Sequence, residues 1–166
     1  MLLVGGALLA IVGCGGSARA EYEQDLAQVG RGVDDSLARI PTDGSQPIDS
    51  TDIARIADDL REAADQLDDL EPPEDAAKAQ ARLQRGLRGV ANVFDELSSE
   101  LGEAQSDSAK AELFVRFAND EAAESAFDDL IGAQERFATA GYRVFGTAPT
   151  KPAATSTSTA KQAKPD

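Results

Sequence analysis

With thirty Asp and Glu residues, no histidine and one cysteine, the chain has few chemistries open to it. Paired carboxylates can serve as general acid and base, or hold a hard cation. Asp58-Asp59, Asp68-Asp69 and Asp128-Asp129 are such pairs. Adjacent helical residues point about a third of a turn apart, so each pair splits across a helix face and looks the same as a solvated acidic surface. Without histidine, the Glu-x-x-His sites of di-iron bundles cannot be built. A single cysteine supplies neither a structural zinc site nor an internal disulfide. No Gly-rich phosphate loop, nucleophile elbow or EF-hand spacing occurs. These residues predict a protein that is not an enzyme and holds no metal.

The cysteine, Cys14, stands at a junction. Leu2 to Val12 is an uncharged apolar run with small residues at Gly5, Gly6 and Ala7, and the chain turns polar soon after Cys14. An apolar run of about 7–15 residues ending in small residues reads as a signal peptide, and it is too short to span a bilayer. The other reading is a buried cysteine in an N-terminal apolar strand or helix. Ile11-Val12-Gly13-Cys14 resembles the lipobox of bacterial lipoproteins. The resemblance implies cleavage of a leader, residues 1–13, between Gly13 and Cys14. Cys14 then becomes the mature N-terminus, thioether-linked to diacylglycerol and carrying acyl chains such as palmitate. The implied address is the extracytoplasmic face of the cell membrane, with the covalent lipid on Cys14 in place of any cofactor. At about 0.8 kcal/mol per buried methylene, two or more acyl chains hold a protein stably where one does not. No Lys or Arg precedes the apolar run. A leader without positive charge orients poorly, so the start codon is expected to lie further upstream, or the sequence to be trimmed.

The formal net charge is −14, and residues 1–13 contribute no charged side chain to it. Lys151, Lys161 and Lys164 against Asp166 leave the middle of the chain more acidic still. Such a surface repels phosphate backbones and excludes nucleic acid as a partner. It also disfavours lying flat on anionic lipid, so membrane attachment depends on the acyl chains.

Apolar residues recur at helical spacing, and no strand pattern occurs. Gly15, Gly16 and Ser17 read as a flexible tether, with residues 14–17 the lipidated N-terminus. Tyr22, Leu26, Val29, Val33, Leu37 and Ile40 predict a first helix over 18–40, ended by Pro41. After a turn containing Asp43-Gly44, Asp49 or Ser50 caps a second helix carrying Ile53, Ile56, Leu60, Ala63, Leu67 and Leu70. Pro72-Pro73 breaks it and starts a third, with Ala76, Ala79, Leu83, Leu87, Val90, Phe94, Leu97 and Leu101 on its stripe and Gly102 at its end. Gly86 and Gly89 inside this helix cost about 1 kcal/mol each against alanine; they read either as points of close approach for a neighbouring helix or as a tolerated composition bias. A fourth helical region, capped by Asp107, is predicted to run to Phe145, with a kink or short break at Asn119-Asp120-Glu121. From Thr147 the composition is that of a disordered tail, residues 147–166. The expected fold is all-α: a four-helix up-down antiparallel bundle over 18–146, with both chain ends on one side.

Five of the six phenylalanines lie in the fourth helical region. Large side chains facing small ones interdigitate as ordinary core. The functional alternative is an apolar pocket lined by Phe94, Phe127, Phe137 and Tyr142, with Asn92 and Gln134 as polar handles.

Leu67-Asp68-Asp69-Leu70-Glu71-Pro72-Pro73-Glu74-Asp75, followed by Leu83, Gly86, Leu87 and Arg88, resembles a helical hairpin of small actinobacterial lipoproteins. Members of that group carry a histidine where this chain has Gln80. The resemblance implies the same membrane address and a helical fold, without an activity. The expected function is that of a non-catalytic, membrane-anchored envelope lipoprotein that binds or scaffolds an envelope protein partner, with the acidic second and third helices as the contact. A carrier of lipid or another small apolar ligand is the alternative.

Overall fold

The computed structural model describes residues 15–40 and 49–144. The helices are α1 (Gly15–Leu37), α2 (Ser50–Asp68), α3 (Ala77–Glu103), α4 (Asp107–Phe117) and α5 (Glu121–Thr139), and no strand occurs among the described residues. The all-α expectation holds, with five helices where four were expected. Cys14, Gly13 and the rest of the leader lie outside the described residues, as does the 147–166 tail.

Local chemistry sets the helix boundaries. Gly15, Gly16 and Ser17, expected as a tether, form the first turn of α1. Adding glycine to an existing helix costs about 1 kcal/mol per residue, which one further backbone bond per residue can offset. Asp49 caps α2 by accepting a hydrogen bond from the Asp52 amide at 2.9 Å. After Pro72-Pro73, the Pro73 carbonyl accepts from the amides of Ala76 and Ala77, so α3 begins at Ala77 instead of at the prolines. Ser106, not Asp107, is the N-cap of α4, accepting from the Ala109 amide at 3.2 Å. The expected break near Asn119 is a full one. Asn119 and Asp120 turn back onto the carbonyls of Arg116 and Phe117, and the Asp120 side chain caps α5 through the Ala123 amide at 2.8 Å.

The end of α5 differs most from expectation. The helix stops at Thr139, well before Phe145, because Gly141 adopts φ +86°. Its amide bonds to the Ala138 carbonyl at 3.1 Å, and the Tyr142 amide bonds to the Phe137 carbonyl at 2.8 Å. This left-handed glycine cap satisfies the last carbonyls and folds Tyr142 back against the helix it has just left.

Neighbouring helices pack antiparallel. Between α2 and α3, Ser98 Oγ donates to the Ser50 carbonyl, Arg61 pairs with Asp95, and Arg88 pairs with Asp65 and Asp68. Ile56, Leu60, Leu67, Leu83, Leu87 and Val90 are buried in these two helices. α5 runs back along α3, with Ala126 over Gly89, Leu130 over Gly86 and Arg82 on Asp129. α4 lies on the last turns of α3 through Phe117 and Phe94, whose rings are 5.5 Å apart, and it buries no residue fully. α1 lies along α2, where Ser36 Oγ and Arg39 both donate to Asp59. α1 and α5 meet at one end only, where Arg19 reaches the Ala140 carbonyl. No described helix is long and apolar enough to cross a membrane.

Candidate functional site

The four residues expected to line an apolar pocket do not converge. Phe94 is buried on α3 and packs against Phe117 of α4. Phe137 and Tyr142 meet at the other end of α5, with ring centroids 6.1 Å apart. Phe127 faces outward and is 38% exposed. Of the two polar handles, Asn92 is exposed and Gln134 half-buried. Concavities of about 30, 230, 240 and 490 Å³ occur among the described residues, and none of these four is lined by Phe94, Phe127, Phe137 or Tyr142.

The structure instead gathers a polar clasp where α1 begins, α2 turns into α3 and α5 ends. Arg19 lies over the Tyr142 ring, its Cζ 4.2 Å from the centroid. Its guanidinium donates to the Ala140 carbonyl at 2.7 Å and to Asp75 at 3.2 Å. The other Asp75 oxygen accepts from Tyr142 Oη at 2.9 Å. Tyr22 and Tyr142 stack edge to face at 5.6 Å. Beneath them Tyr22 Oη donates to Gln80 Oε1 at 2.8 Å, while Gln80 Nε2 donates to the Leu67 carbonyl at 2.7 Å. Gln80 is 5% exposed. It therefore adds a side-chain donor to the Leu67 carbonyl, which also accepts from the Leu70 amide at 3.3 Å, and accepts from a phenol of α1 at once.

Electrostatics make the clasp a holding device. Burial pushes the Tyr22 phenol well up, with Tyr142 and Asp75 adding to the rise. Desolvation likewise raises Tyr142, helped by its bond to Asp75 and opposed by Arg19. Both phenols stay protonated at neutral pH and act as donors, so neither is poised as a nucleophile or base. Among the described residues no buried side-chain nitrogen or oxygen lacks a hydrogen-bond partner.

Sequence reasoning marked Tyr22 only as an apolar stripe residue and Gln80 only as a departure from a resemblance. The available signal was a polar residue inside the Ala76–Ala79–Leu83 stripe. Asp75 entered as part of the Pro72-Pro73-Glu74-Asp75 resemblance, and Arg19 was not singled out. The carboxylate pairs diverge as helical geometry requires. Asp58 goes to Arg61 and Asp59 to Arg39, while Asp68 takes Gln84 and Arg88. Among the described residues, no group of three or more Asp, Glu, Cys or His side chains is placed to hold a metal ion.

No protein-family model, curated protein or solved structure matches the chain.

Proposed function

We propose that the protein is a non-catalytic lipoprotein of the bacterial envelope, held at the extracytoplasmic face of the membrane through lipid on Cys14. Its bundle is read as four antiparallel members, the fourth made of α4 and α5 end to end, and serves to bind or scaffold a protein partner. The observation that carries this reading is Ile11-Val12-Gly13-Cys14 at the end of the Leu2–Val12 apolar run. The start of α1 supports it, because helix begins one residue after Cys14 and leaves little slack. Arg19 follows Cys14 by five positions, about 8 Å at helical rise. The clasped end would thus sit against the headgroups, with the α3–α4 turn pointing away. The scattered positions of Phe94, Phe127 and Phe137 give the carrier reading no matching support.

Expression in a bacterium with intact lipoprotein processing, followed by fractionation, tests the anchor. Wild type is expected in the membrane fraction, released by detergent and not by high salt, with Cys14→Ser moving to the soluble fraction. The same distribution for both proteins would sink the proposal.

A further inference from the structure

The outward flank of α5 combines exposed apolar side chains with uncompensated charge. Among the described residues the exposed large apolar side chains are Val115, Phe127 and Ile131, and the last two stand one helical turn apart on α5. At about 3.6 residues per turn, Gln134 and Ala138 continue their stripe, and Glu124, Asp128 and Glu135 form a rim along one side of it. This flank is not used by the bundle. Ala126, Ala133 and Phe137 turn to the core, Asp129 and Gly132 turn to Arg82 of α3, and α1 approaches α5 only at the clasp.

Asp59, Asp65, Asp68, Asp95, Glu100 and Asp129 each hold an arginine across a helix seam. The carboxylates of Glu124, Asp128 and Glu135 are exposed and hold no ion pair among the described residues. The three rim carboxylates thus stand unneutralised beside the apolar pair, whereas exposed acids without an ion pair on α2 and α3, such as Glu62, Glu96 and Glu103, have no exposed large apolar side chain on their own helix. An apolar stripe beside an unneutralised acidic rim complements a helix whose own apolar stripe is bordered by Lys or Arg.

We propose that the Phe127–Ile131 flank of α5 docks a cationic amphipathic helix of a partner protein. This rests on the reading of the bundle as a partner-binding module, and it replaces the α2–α3 contact expected from sequence. A second copy is the poorer occupant, because two chains of net charge −14 would bring like rims together. The chain's own tail carries Lys151, Lys161 and Lys164 but no large apolar side chain after Phe145.

The test uses the full chain carrying Cys14→Ser, so that its outcome does not depend on lipidation. The probe is a fluorescein-labelled synthetic helix of leucine and lysine with leucines at three- and four-residue spacing, read by fluorescence anisotropy. Saturable binding is expected, weakened at least tenfold by Phe127→Ser with Ile131→Ser. Neutralising Glu124, Asp128 and Glu135 to their amides is expected to weaken it several-fold and flatten its salt dependence. These side chains lie on the surface, and unchanged circular-dichroism melts would exclude misfolding. Equal binding of a peptide with the same composition in scrambled order would overturn the proposal, as would equal binding by the double serine variant. A dimer in sedimentation that the serine substitutions dissolve would reassign the flank to a second copy. Tenfold tighter binding on truncation after Val144 would reassign it to the tail.

Discussion

Gln80 joins three helices with one side chain, and its worth is set by what its loss would leave behind. Removing it strands the Tyr22 hydroxyl in the interior and takes one of the donors from the Leu67 carbonyl, which keeps the Leu70 amide. Gln80→Ala is expected to cost about 1–3 kcal/mol, read from urea denaturation, because the stranded Tyr22 hydroxyl forfeits its hydration without replacement. Tyr22→Phe is expected to cost about 1–2 kcal/mol and to add less than independently to Gln80→Ala, since the two share one bond. Alkaline pH probes the same contact. The phenol of Tyr22 is raised in the folded chain, chiefly by burial. Above about pH 10 the unfolded chain ionises first, so this contribution is full below that pH and is lost as pH rises further. Tyr22→Phe should therefore flatten the decline in stability between about pH 10 and pH 12. Gln80 was visible in sequence as a polar residue in an apolar stripe. Its partners were not, because Tyr22 lies 58 positions away and only the packing of α1 brings it close.

At the scale of elements, helix positions were legible wherever local signals acted alone. The α2 stripe with its Asp49 cap, the prolines after it and the Asp120 cap each act within a few residues. The clearest miss was the end of α5, where the helix was expected to run on through Gly141 to Phe145. Nothing local distinguishes a helical glycine from one that takes a left-handed cap; the docking of Tyr142 onto Phe137 and Tyr22 does. Of the two readings of Gly86 and Gly89, close approach and composition bias, the structure shows close approach. A methyl group at Gly86 would lie 2.9 Å from the Leu130 backbone nitrogen, and one at Gly89 2.8 Å from the Ala126 side chain. Gly86→Ala is expected to lower stability by about 1–3 kcal/mol, since overpacking outweighs the gain in helix propensity. Gly32→Ala should do the reverse. Its added methyl meets nothing within 4 Å, so up to about 1 kcal/mol of propensity is gained. Thermal melts of the two variants should shift in opposite directions.

The whole molecule is tied most tightly along α2, α3 and α5, and α1 closes onto α5 at the clasp alone. Arg19→Ala removes the contact with the Tyr142 ring, the Asp75 pair and the bond to the Ala140 carbonyl together. Amide hydrogen exchange is expected to quicken in the first turns of α1 and around Tyr142, and to stay unchanged in the middle of α2 and α3. Equal acceleration throughout would mean that the clasp holds the entire fold. Long-range closure of this kind, from Arg19 to Ala140, is set by topology, which periodicity does not encode. The address, by contrast, rests on a few contiguous residues ahead of α1. Intact mass spectrometry of the mature chain, purified from the membranes of a host that processes lipoproteins, bears on it most directly. A chain beginning at Cys14 with the mass of diacylglycerol added is the expected result, and it should vanish in Cys14→Ser. An unmodified chain, or a mature N-terminus other than Cys14, would contradict the account.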